Sequence, residues 1–177
     1  MLLLRKISIN KWPANRDEAI ATARDCLSDS AYDLRTTEGI ASFWDCTDKN
    51  VIDILCTNFS LCGNRIENNL YFVIIDSNEL DKIGIKYVNT PDNATFKIIG
   101  IEKYHYDLQI NDMSNLEKMI IYMSNIIISK KEFVYRTTKS DIIKLSLKMN
   151  NDNRLLINSL TDEVLSQLGL NKSIEHN

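Results

Sequence analysis

The sequence predicts an α+β protein: a mixed, largely antiparallel β-sheet with packed helices, closed at the C-terminus by two short helices. Three observations predict it. First, Leu70-Tyr71-Phe72-Val73-Ile74-Ile75 is apolar at both strand parities before Asp76-Ser77-Asn78 stops it with turn chemistry. Successive side chains of a strand point to opposite faces, so this run needs cover on both sides and belongs inside a sheet. Second, the order of elements reads β-α-β-α-β-β-β-α-β-α-α. Three consecutive strands fit a sheet with helices laid on it better than a pure βαβ winding. Third, Leu116, Ile120, Met123 and Ile127 recur at helical spacing, and Met119, Ile126 and Ile128 widen the stripe. A stripe that wide is buried on more than one side.

Leu2 to Ile9 reads as the first strand, broken at Trp12-Pro13. Asn15 is a good N-cap with Glu18 three residues on, so a helix is expected from about Arg16 to about Ser28, carrying Ile20, Ala23 and Leu27. Tyr32 to Gly39 reads as a polar connection, and Ile40 to Cys46 as a short strand. Asp48 is placed to cap a helix with Val51, Leu55 and Phe59, stopped at Gly63-Asn64. After the central run, Asn78 to Ile83 makes a helical turn with Gly84 behind it. Ile85 to Val88 is a short strand, and Asn89-Thr90-Pro91-Asp92-Asn93 is the strongest loop signal in the chain. Thr95 to Ile101 reads as another strand. From Glu102 to Ile110 the alternation puts Tyr104, Tyr106 and Leu108 on one face and Lys103, His105, Asp107 on the other, which is expected to be wet. Ser114 with Glu117 resembles a capping box opening the long helix. Phe133 to Arg136 is a strand, and Thr137-Thr138 opens a helix with Ile142 and Leu145. Leu155 to Ile157 fits no single element type, and a last helix with Val164, Leu165 and Leu168 stops at Gly169. The expected division is a core domain over 1–136, a helical extension packed on it over 137–170, and a disordered tail over 171–177.

The composition excludes several function classes. A formal charge of −3 over 177 residues, with no long basic run, gives direct nucleic-acid binding no bulk electrostatic support. Lys130, Lys131, Arg136 and Lys139 are interleaved with Glu132 and Asp141 and read as a solvated face. No apolar stretch approaches the ~20 residues of a membrane span, and Arg5 and Lys6 cut short the apolar start, so no membrane partner and a cytoplasmic location are expected. There, Cys26, Cys46, Cys56 and Cys62 are expected to be thiols. The five glycines are isolated, so neither a P-loop nor a dinucleotide fingerprint exists. Zinc ligation needs Cys and His in paired short spacings, which the four cysteines, His105 and His176 do not provide. No cofactor and no metal are expected.

Two functional readings remain. Small size, mild acidity and missing catalytic motifs suggest a non-enzymatic bacterial interaction protein. It would be an immunity or antitoxin-like inhibitor, or a small accessory subunit of a defence or toxin system, and its partner another protein. Its candidate surface is Asp33, Arg35 and Glu38 in the polar connection, Lys103, His105 and Asp107 on the wet strand face, and Asp162 and Glu163 on the last helix. The alternative is a metal-dependent hydrolase or nuclease using the strand-end acids Asp45, Asp76 and Glu102. With Lys103, this set loosely resembles the acids-and-lysine arrangement of restriction-endonuclease-like enzymes. That pattern places acid, spacer and lysine on one strand face, whereas Glu102 and Lys103 are adjacent and face opposite ways.

Overall fold

The computed structural model describes residues 1–25, 28–34 and 39–171. Calls on Cys26, Arg35, Glu38 and His176 lie outside the described residues. The architecture is α+β, as the sequence predicts: a six-stranded sheet between two layers of helices. The strands are β1 (Leu2–Ile7), β2 (Ile40–Asp45), β3 (Asn69–Asp76), β4 (Tyr87–Asn89), β5 (His105–Gln109) and β6 (Val134–Thr138). They lie in the order β4-β5-β2-β1-β3-β6, and each of these neighbouring pairs is antiparallel.

β3 is interior, flanked by β1 and β6. Its two parities serve two cores. Leu70, Phe72 and Ile74 face α3 (Ile52–Leu61), α6 (Lys139–Asn151) and α7 (Asp162–Leu168), packing with Leu55, Ile142 and Val164. Val73 and Ile75 face the other layer, built from α1 (Arg16–Ala23), α2 (Asp29–Leu34), α4 (Ser77–Ile83) and α5 (Met113–Ser129), packing with Ala23, Leu34, Leu80 and Met123.

The caps follow local chemistry. The side chains of Asn15, Asp48, Asp76, Thr138 and Thr161 accept backbone N–H bonds at the starts of their helical segments. Gly84 and Gly169 end α4 and α7 at φ +77° and +67°, a conformation that costs a residue without Cβ little.

Five local expectations change. The long helix α5 is capped by Asp112, which accepts from Asn115 N–H, and Ser114 already lies inside it. The first helix ends at Ala23 and not near Ser28, and a separate helix, Asp29–Leu34, takes in Tyr32 to Leu34 of the expected polar connection, because Ala31 and Leu34 bury against the sheet. Thr95 to Ile101 is no strand. It is an irregular segment joined to the rest by a single bridge, Ile98 to Leu155, and held by Asn58, whose Oδ1 accepts from Lys97 N–H at 2.7 Å. Glu102–Tyr104 is a 3-10 turn, so β5 begins only at His105. β6 runs to Thr138, two residues past the expected strand end at Arg136.

Candidate functional site

The expected wet face of β5 is buried. His105 is 2% and Asp107 8% exposed, because the segment from Thr90 to Lys103 folds over that face. Thr90 O can only accept, so His105 Nδ1 carries a proton and donates to it at 2.9 Å; Thr90 Oγ1 sits 3.0 Å from the same nitrogen. The ring packs edge-on against Trp44, centroids 5.0 Å apart. Asp107 accepts from Asn93 Nδ2 at 3.1 Å, and Ser42 Oγ lies 3.4 Å from its other oxygen. His105 Nε2 is 3.7 Å from Asp107, beyond hydrogen-bond length. Ser42 contacts the acid and not the imidazole, so the three residues make no serine–histidine relay. They fasten the covering segment, as do the bonds of Asn89 Nδ2 to Lys103 O and His105 O.

The other predicted residues divide. Lys103 is exposed and lies over the Tyr104 ring. Asp162 and Glu163 are exposed in the first turn of α7. Asp33 has a folding role, since its Oδ2 accepts from Trp12 Nε1 and Ser8 N–H, both at 2.8 Å.

The hydrolase acids are not brought together. Asp45 lies opposite Leu3, on the face of Val73 and Ile75; Asp76 lies opposite Leu2, on the face of Phe72 and Ile74. Two strand spacings of about 4.8 Å and the sheet itself separate them. Each has a local partner: Asp45 accepts from Thr47 N–H, Asp76 from Asn78 N–H and Glu102 from Gly100 N–H. Among the described residues no three His, Cys, Asp or Glu side chains are grouped to hold a metal.

Convergent polar chemistry lies elsewhere. An open cleft of about 540 Å³ runs between α3 and α6 over the edge strand β6. Asp53 and Thr57 come from α3, Tyr135 and Thr137 from β6, and Asp141, Lys144, Leu145 and Lys148 from α6. Tyr135 Oη donates a short hydrogen bond to Asp53. Burial, then that bond, pushes the Tyr135 hydroxyl well above the usual phenol range. Thr57 Oγ1 is engaged, donating to Asp53 O at 2.8 Å. Asp141 completes the α6 capping box with Thr138, and that bond holds its carboxyl below the usual range. Lys144 and Lys148 stand one helical turn apart on the same side of α6, where residues i and i+4 are neighbours. Neither ammonium is hydrogen-bonded or ion-paired among the described residues.

The cleft joins the most basic stretch of the chain. Between Lys130 and Lys148 stand six basic and two acidic residues, in a chain of net charge −3. Lys130, Lys131, Arg136 and Lys139, expected to be a solvated face, are followed by Lys144 and Lys148 where β6 turns into α6. The i, i+4 lysines were the available signal, but Asp53 and Thr57 lie about ninety residues away. No helix among the described residues is long and apolar enough to cross a membrane. Comparison with protein-family models, with curated proteins and with solved structures finds no match for this chain.

Proposed function

We propose that the protein acts by binding another protein, without turnover of its own, as an inhibitor or small accessory subunit. The observation that carries this reading is the concentration of positive charge along β6 and α6 beside an open polar cleft. A basic edge on an otherwise acidic protein favours an acidic partner, because complementary charge steers encounter and selects against like-charged surfaces.

The test is capture of partners from the cells of origin with tagged wild type and with the Lys144→Glu/Lys148→Glu variant, followed by affinity measurement with the purified partner at two salt concentrations. Both lysines are exposed, so the variant should melt within about 0.5 kcal/mol of wild type. It should lose the partner, and the wild-type affinity should fall as salt rises. Unchanged capture by the variant would remove the reading.

A further inference from the structure

The β6 edge has free backbone groups next to the cleft. Lys139 N–H donates to Asn68 O, which continues the β3–β6 ladder. Hydrogen-bonded pairs alternate in an antiparallel ladder, so Thr137 and Tyr135 direct their backbone groups at β3, whereas Val134 and Arg136 direct theirs outward. Val134 N–H is taken by Lys131 O. Val134 O and both backbone groups of Arg136 have no partner among the described residues.

A second observation points into the cleft. Thr137 lines it, and its hydroxyl, open to the cleft, makes no hydrogen bond among the described residues. Lys144 and Lys148 stand on the wall beside it, Lys144 close enough to Asp141 to help lower its carboxyl.

We infer that the α3–α6 cleft seats a carboxylate side chain of an acidic, extended segment of the partner, which pairs with the free edge of β6. This rests on the partner-binding reading and names the chemistry at its centre. A segment aligned with Arg136 places the side chains flanking its paired residue on the face of Tyr135 and Thr137, over the cleft. A carboxylate there meets the Thr137 hydroxyl and the Lys144 and Lys148 ammoniums, while Tyr135 and Leu145 take its methylenes. Asp53 and Asp141 also line the cleft, so its formal charge balances to zero. Strand pairing selects a peptide over a nucleic acid, which has no backbone amides to offer.

The test is an NMR titration of the full chain with a blocked Glu-Glu-Glu peptide, with Gln-Gln-Gln and inorganic phosphate as separate arms. The glutamate peptide should shift the amides of Thr137, Arg136 and Lys144, with the other two probes at least tenfold weaker. Thr137→Val keeps the shape and removes only the unpaired hydroxyl; it should weaken the peptide about tenfold with melting unchanged. Lys144→Gln/Lys148→Gln should weaken it further. Arg136→Pro removes the outward N–H from an edge position that tolerates proline; it should reduce binding where Arg136→Gln does not. Shifts outside the cleft, equal binding by Thr137→Val, or a preference for phosphate would each overturn the inference. If a partner is nevertheless lost on Lys144→Glu/Lys148→Glu, the partner-binding reading stands and only the carboxylate seat falls. If the peptide maps to the cleft while partner capture ignores that reversal, the seat stands and the functional reading falls.

Discussion

Replacing Arg5 with methionine should cost the protein about 2–4 kcal/mol. Arg5 lies in the middle of β1, yet its side chain enters the core between sheet and helices, on the face of Leu3 and Ile7. Its guanidinium donates to Ser42 O at 2.7 Å and to the last carbonyls of α2, Asp33 O at 3.2 Å and Leu34 O at 3.1 Å. It also stands 5.3 Å from the Phe43 ring centre. Three bonds from a charged donor contribute about 1.5–3 kcal/mol each, and the aromatic contact about 0.5–2 kcal/mol. Burial opposes them. It lowers the guanidinium to about 10, with Asp33 pulling the other way, which is roughly 3 kcal/mol against the charged form. Arg5 Nε adds a buried donor with no partner. With about 1–3 kcal/mol charged to that donor, mid-range values leave about 3 kcal/mol in favour of arginine, or roughly 5–15 °C of melting temperature over the expected range for a chain of this size. Arg5→Lys keeps the charge but cannot span carbonyls on both β2 and α2, so it should fall between the two. Denaturant unfolding followed by circular dichroism gives the magnitude. Amide exchange locates it: α2 should open first, because its C-terminal carbonyls lose their donor. An Arg5→Met protein as stable as wild type would show that desolvation outweighs all three bonds, as it does in some buried ion pairs.

Ile74→Asp should unfold the protein, since Ile74 is buried between β3 and the α3–α6 layer, and an unpaired charge there costs several kcal/mol, roughly the stability of a small domain; a soluble, cooperatively melting variant would refute it. In native protein Cys46 and Cys56 should resist a thiol reagent at pH 8, because burial pushes Cys46 up to about 12 and Cys56 higher still, while Cys62, raised by partial burial but exposed, reacts slowly and ahead of both; with denaturant all four thiols should titrate. Alkaline stability should depend on Tyr135. Its folded value is raised, so its contribution is complete below the ordinary phenol value near 10 and is lost as pH climbs from there toward the folded value. Wild type should therefore lose more stability than Tyr135→Phe between about pH 10 and 12, and equal losses in paired denaturation series would refute it.

Features legible in the sequence are those decided within a few residues. The apolar run of β3 demands two covered faces whatever covers them. Asn15, Asp48 and Thr138 cap because a short polar side chain reaches N–H groups two or three residues on. Gly84 and Gly169 stop helices because they alone adopt positive φ cheaply. The failures have one cause, contact between segments far apart in the chain. Alternation along β5 correctly separates two faces, but it cannot say that an irregular segment will fold over His105 and Asp107 and bury them. Arg5 reads as a charge that ends an apolar stretch; only the C-terminus of α2, 28 and 29 residues on, supplies acceptors that let it enter the core. Asp45 and Asp76 look alike as strand-end acids, and the register of β1 between them decides that they face opposite sides of the sheet. The cleft is the fullest case. Tyr135 meets Asp53 across 82 residues, and Lys144 and Lys148 become its wall only because β6 turns into α6. Propensity, capping and periodicity act over one or two turns of chain, whereas a site is made by packing, and packing joins residues by volume and charge without regard to their distance in sequence.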